Sequence, residues 1–261
     1  EKGWHGRPDS DVSGWSSYAS RIPEVQGARG VLNLTRGSAS PIGRHVPAPG
    51  KTGPKGKTER QVAKATPSRP TTEEIARAQA ALGRRNLVFV GLMGAGKSAI
   101  GRLIASWLDV PFVDSDAEIE RVSRMTIGEL FATYGEEEFR ALENRVLERL
   151  LKGGPRIVST GGGAFMNADT RAAIKSKGLS VWLKADLDVL WDRVSRRDTR
   201  PLLKTENPKE TLRALLEKRY PVYAEAALTV MSRDAPKEAV ASDVIKALAT
   251  HQAMHTQDSS E

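Results

Sequence analysis

A short apolar run, Leu87-Val88-Phe89-Val90, passes directly into Gly91-Leu92-Met93-Gly94-Ala95-Gly96-Lys97-Ser98, and a helical pattern opens at Lys97. A strand that turns through glycines straight into a helix confines the chain to a layered α/β arrangement. The chemistry of the turn is equally restrictive. Glycines let backbone N–H groups close around phosphate oxygens, and the helix adds its positive dipole end. Lys97 reaches the β and γ phosphates, and Ser98 can ligate Mg²⁺. A second pattern overlaps the first, because Gly94-x-Gly96-x-x-Ala99 also fits a dinucleotide-binding turn, with Asp114 about 20 residues on, where a ribose-binding acid would stand. The octapeptide as a whole favours the phosphate loop, since a dinucleotide turn has no use for Lys97.

The same texture repeats downstream. Strands are expected at 86–90, 110–113, 157–159, 180–184 and 228–231. Helices are expected near 97–107, 116–124, 127–134, 135–152, 169–177, 187–196, 208–220 and 236–249. Short apolar strands alternating with helices imply a parallel sheet covered on both faces. The fold class is α/β, with no internal repeat.

Charge separates this domain from what precedes it. The 261 residues carry a net charge of +8, yet residues 1–85 hold 15 Lys and Arg against 7 Asp and Glu, which is the whole surplus. Residues 86–261 hold 25 of each sign, so the basicity gives no ground for treating this part as nucleic-acid-binding. Residues 1–70 contain 10 of the 23 glycines and 8 of the 14 prolines without strand or helix periodicity, and are expected to be a disordered basic extension. Thr71 and Glu74 have capping-box spacing, so 71–85 is read as a short helix and linker, 86–250 as the folded domain and 251–261 as a polar tail. The chain has no Cys, which excludes a disulfide scaffold and thiolate chemistry. No apolar run reaches the roughly 18 residues of a membrane span, and residues 1–30 lack a signal-peptide core. A cytoplasmic monomer without membrane or nucleic-acid partners is expected.

Further motifs point to the phosphoryl acceptor and to a lid. Asp114-Ser115-Asp116 closes the second strand, where residues two apart share a face, so both carboxylates can enter the crevice at the carboxyl end of the sheet. One could hold Mg²⁺ through water while the other accepts from a hydroxyl, or Ser115 or Asp116 could simply cap the next helix. Gly135-Glu136-x-x-Phe139-Arg140-x-x-Glu143 places Arg140 and Glu143 one helical turn apart, able to pair and aim the guanidinium at a carboxylate. Thr160-Gly161-Gly162-Gly163 follows the third strand and offers close backbone approach. Arg196 to Leu203 has the composition of a lid carrying cations, and Arg219 in Lys218-Arg219-Tyr220-Pro221-x-Tyr223 is a second candidate for the acceptor's carboxylate.

Together the octapeptide, Asp114-Ser115-Asp116, Gly135-Glu136-x-x-Phe139-Arg140, Gly161-Gly162-Gly163, Arg200-Pro201-Leu202-Leu203 and Arg219-Tyr220-Pro221-x-Tyr223 resemble the shikimate kinase family, in its order and spacing over residues 86 to about 235. The resemblance implies a P-loop NTPase fold of the nucleoside-monophosphate-kinase type, with a five-stranded parallel sheet, and transfer of the ATP γ-phosphoryl group to the 3-hydroxyl of shikimate. By matching positions, Gly94, Ala95, Gly96, Lys97, Ser98 and Ala99 would wrap the phosphates, with Ser98 on Mg²⁺ and Asp114 holding the metal through water. Asp116 would bind the acceptor hydroxyls and serve as base. Arg140 and Arg219 would bind the shikimate carboxylate, Gly161, Gly162 and Gly163 would line the ring, and Arg200 would close from the lid onto ATP. The family's adenine-contacting Arg after the last strand has no clear match at Arg233. Two other functions stand beside this one: a P-loop kinase for another polyol acid such as gluconate, and an ATP-dependent nucleic-acid-binding protein relying on the basic extension.

Overall fold

The computed structural model describes residues 69–196 and 205–257, with side chains to His251. Its centre is β1 (Asn86–Val90), buried at every position. On one side β1 pairs in parallel with β3 (Ile157–Ser159), which pairs in turn with β2 (Phe112–Asp114). On the other side lie β4 (Gly178–Lys184) and then β5 (Leu228–Met231). The five strands are all parallel in the order β2-β3-β1-β4-β5. After β3, on one side of β1, the chain crosses to form β4 on the other side, and this switch opens the crevice above the carboxyl end of β1, where α/β sheets bind ligands.

The helices in chain order are α1 (Thr72–Leu82), α2 (Lys97–Leu108), α3 (Ser115–Ser123), α4 (Ile127–Leu151), α5 (Ala168–Lys177), α6 (Leu187–Ser195), α7 (Pro208–Tyr223) and α8 (Lys237–Gln257). The capping box expected at Thr71 and Glu74 is formed, with both reciprocal bonds present. Helix α1 buries Ala78, Ala81 and Leu82, stops at Gly83 and packs along α8. Helix α2 turns Ile100, Gly101, Ile104, Ala105 and Leu108 inward at 3–4 residue spacing. Gly101 is required by space, since a Cβ there would stand 2.9 Å from the Phe112 ring.

Several boundaries differ from the sequence expectation. The second strand runs 112–114 rather than 110–113, and α3 begins at Ser115, so Asp116 belongs to the first helical turn and not to the strand. The cap is Asp114, whose side chain accepts from the Asp116 N–H; neither Ser115 nor Asp116 does this work. Helix α8 continues to Gln257, into the stretch expected as a polar tail. The two helices expected at 127–134 and 135–152 are both present: α4 is two helical stretches that meet at a break at Gly135 (φ 78°, ψ 178°), a conformation open to glycine. Residues 1–68, expected to be disordered, and 197–204, expected to be a lid, lie outside the described residues, Arg200 among them.

Candidate active site

The phosphate loop leaves β1 through Gly91 and is seated on α6: a Cβ at Gly94 would stand 2.9 Å from Val194 Cγ1 and 3.2 Å from the Leu190 carbonyl oxygen. Gly96, the N-cap of α2, takes the left-handed conformation that turns the chain into the helix. Above the loop lies a cavity of about 510 Å³. Gly94, Gly96, Lys97, Ser98 and Ala99 line it. Ala95 does not; it is buried beneath, its N–H bonded to the Leu92 carbonyl. The Lys97 ammonium donates to the Gly91 and Leu92 carbonyls at 2.7 and 3.0 Å.

Asp114 and Asp116 reach the same cavity. Ser98 Oγ donates to Asp114 Oδ2 at 2.7 Å and lies 3.1 Å from Ser159 Oγ. These hard oxygen donors on adjoining elements suit Mg²⁺, which keeps several of its ligands as water and substrate oxygens and needs few from protein. Among the described residues no group of three or more Asp, Glu, His or Cys that could hold a metal ion is assembled. Asp114 thus accepts from Ser98 and from the N–H at the start of α3.

The side of the site away from the phosphate loop is built around the glycine triplet after β3. Ser115, fully buried, accepts from the Gly161 N–H. A Cβ on Gly161 would fall 2.6 Å from Asp116 Oδ1 and 2.7 Å from Glu143 Oε1, and one on Gly163 would fall 2.5 Å from Arg140 Nη1. The glycines therefore admit side chains from α3 and α4 to the loop backbone. Arg140 Nη1 donates to Glu143 Oε2 at 2.7 Å, and Glu136 contacts its Nε and Nη2 at 3.3 and 3.2 Å. The rings of Phe131 and Phe139 lie 5.9 and 5.2 Å from its guanidinium carbon. Glu143 is only 4 % exposed, while Arg140 keeps 26 % of its side chain open. Burial pushes the Glu143 carboxyl above its ordinary value against the pull of Arg140, and the neighbouring Asp116 adds to the rise. Burial opposes the charge on Arg140, but Glu143 and Glu136 outweigh it and hold the guanidinium charged.

Arg219 enters from α7, 8 % exposed, and donates to the Gly162 carbonyl at 2.8 Å. The Tyr223 hydroxyl, one helical turn on, donates to the same carbonyl. Burial lifts the Tyr223 hydroxyl to about 12, so it stays a donor throughout the physiological range. Tyr220 donates to the Ala185 carbonyl, tying α7 to the end of β4. The tyrosines of Arg219-Tyr220-Pro221-x-Tyr223 thus fix the helix that presents the arginine.

Lys97, Asp114, Asp116 and Gly162 meet at one cavity, and Arg140 and Arg219 close around the loop that bears Gly162. Arg233 points elsewhere, pairing with Asp243 on α8. Among the described residues, the arginines that line the cavity are Arg193 of α6 and Arg196 just after it; sequence reasoning missed Arg193 because a cation in a last helical turn reads as a dipole partner.

The family model for shikimate kinase matches residues 93–249, more than half of the chain. The chain belongs to the shikimate kinase family. It is 71 % identical over 172 residues to a shikimate kinase of Rhizobium leguminosarum bv. trifolii, covering 66 % of this chain and 88 % of that one. A Rhizobium meliloti shikimate kinase is 70 % identical over 176 residues, covering 67 % and 92 %. The solved structure of Acinetobacter baumannii shikimate kinase in complex with shikimate superposes with a TM-score of 0.60 at 34 % identity, covering 70 % of this chain and 99 % of that one. Shikimate kinase from Aquifex aeolicus gives 0.56 at 30 % identity, covering 65 % and 98 %. Family membership makes the chain a kinase that transfers phosphate to an alcohol group, and shikimate kinases phosphorylate shikimate in aromatic amino-acid biosynthesis. No helix among the described residues is long and apolar enough to cross a membrane.

Proposed function

We propose that the chain transfers the γ-phosphoryl group of ATP to the 3-hydroxyl of shikimate, with Mg²⁺ as the required ion. The observation that carries this is the approach of two arginines from different helices, Arg140 and Arg219, to one glycine loop beside Asp116, on the cavity that holds Lys97. Two guanidiniums suit capture of a carboxylate. A carboxylate within the same cavity suits orientation of a hydroxyl and removal of its proton.

Shikimate's carboxylate would lie against Arg140 and Arg219, and its 3-hydroxyl would reach Asp116. On ATP binding, Lys97 would exchange the Gly91 and Leu92 carbonyls for phosphoryl oxygens, neutralising charge on the transferred group. Ser98 and Asp114 would hold Mg²⁺, which when bound neutralises phosphate charge and orients the chain of phosphates. As the hydroxyl oxygen bonds to phosphorus and the bond to the ADP oxygen breaks, the hydroxyl proton passes to Asp116. Arg200 keeps the role the sequence resemblance gives it, closing over ATP. The enzyme would work as a cytoplasmic monomer.

ADP release measured with shikimate, with gluconate and without acceptor tests the assignment. Shikimate-dependent turnover is expected. Equal turnover without acceptor, or turnover with gluconate alone, would overturn it.

A further inference from the structure

Beside the phosphate loop, at the wall of the cavity, lies a polar group that the proposed chemistry leaves unused. Ser232, directly after β5, is 1 % exposed. Its N–H donates to the Lys184 carbonyl at 2.6 Å, fixing it to the end of β4. Its hydroxyl donates to the Ala95 carbonyl at 2.8 Å and accepts from Arg193 Nη1 at 2.9 Å. The same Nη1 donates to the Gly94 carbonyl at 3.1 Å, and Nη2 donates to the Arg233 carbonyl at 2.7 Å. Two consecutive phosphate-loop carbonyls are therefore held by one serine and one arginine, both at the wall of the cavity.

The geometry of the peptide unit gives these bonds a consequence. A trans peptide is planar and its C=O and N–H point in opposite directions. The Ala95 carbonyl shares its plane with the N–H of Gly96, which lines the cavity. Gly96 has no side chain to brace that plane, and at φ 93° it rotates more freely than any other residue would. A hydrogen bond on the Ala95 carbonyl thus sets the direction of the Gly96 N–H.

We infer that Ser232, locked by Arg193, is a positioning residue for nucleotide binding: it turns the Gly96 N–H toward the phosphates before ATP arrives. Arg193 supports the serine and the preceding carbonyl together. The acceptor half is served by other groups, so the effect is confined to the nucleotide. The inference rests on the kinase assignment only for its ligand class, a nucleoside di- or triphosphate.

The test is ADP titration by calorimetry without shikimate, so that its outcome is independent of the acceptor's identity, alongside KM for both substrates. In Ser232→Ala, ADP affinity and the KM for ATP should weaken about 5- to 10-fold, the worth of one hydrogen bond, with the shikimate KM unchanged. Ser232→Thr, which keeps the hydroxyl, should retain wild-type ADP affinity. Arg193→Lys, at a half-exposed position where folding is secure, should weaken ADP and add little to Ser232→Ala in the double variant. Unchanged ADP affinity in folded Ser232→Ala or in Arg193→Lys overturns the inference. So does equal weakening of both substrates, or an equal loss in the Ala and Thr variants. Absence of shikimate turnover in the wild type would defeat the acceptor assignment while leaving the ADP comparison intact.

Discussion

Gly163 lies directly against Arg140: a single methyl group on the glycine would stand 2.5 to 2.7 Å from three atoms of the guanidinium. The place of the Arg140 guanidinium is set as much by the missing side chain as by the helix that carries the arginine. Gly163→Ala should displace Arg140 and raise the shikimate KM on the order of 10- to 100-fold while ADP affinity holds. Steady-state kinetics with each substrate varied decides this, and equal change in both would show a general collapse of the loop instead.

Lys97→Met removes the ammonium that bonds the Gly91 and Leu92 carbonyls. Turnover should fall on the order of 10³-fold, the cost of losing a preorganised charge at the transferred group. The fold should survive, as judged by circular dichroism and thermal melting. A Met variant with near wild-type turnover would take Lys97 out of the chemistry.

Much of this site was legible because its parts are local. The octapeptide needs only one strand and one helix, and the pairing of Arg140 with Glu143 needs only helical periodicity. Ser232 illustrates the opposite case: it meets Ala95 across 137 positions, and no spacing rule ties a lone serine to a distant carbonyl. Tyr223 and Gly162 are likewise 61 positions apart. The misplacement of Asp116 has another source. A strand of three residues has too little periodicity to fix its own end, and Asp114 supplies a cap strong enough to start the helix one residue later. Five strands and their parallel order followed from apolar alternation, whereas the lateral order depends on pairings between residues far apart in the chain.

Asp114→Asn should weaken the hold on Ser98 and on Mg²⁺ together, because one carboxylate serves the serine and the ion. Titration of Mg²⁺ at fixed ATP should show a midpoint raised about 10-fold or more, with shikimate KM unaltered at saturating metal. An unshifted midpoint removes Asp114 from the metal's surroundings.

Glu143 carries a pH signature. Its carboxyl sits above the ordinary value in the folded protein, mainly through burial. Protonated Glu143 is therefore favoured by folding: its contribution is fully present below the unfolded value and is lost as pH rises through the folded one. Thermal melts of wild type and Glu143→Gln from pH 4 upward should show the difference moving in the variant's favour. A difference that moves the other way would place the folded carboxyl below its ordinary value.

Removing residues 1–68 should leave turnover and melting temperature unchanged. Extending the cut through α1 should not be tolerated as well, because Ala78, Ala81 and Leu82 are buried there. Within the full chain, Leu82→Ala should cost about 2–5 kcal/mol of stability by denaturant titration.

Helix α1 lies along α8, with Glu74 close enough to feel the charge of Lys246. The first and last helices of the described fold therefore meet at one seam. Protein engineers gain a practical handle from this: in a chain trimmed to residues 71–257, a linker from the end of α8 back to α1 would make the backbone circular, and new ends could be opened in a solvent-facing turn far from the phosphate loop. The enzyme's connectivity could then be rewritten while the order of strands, and with it the crevice over β1, stays as it is.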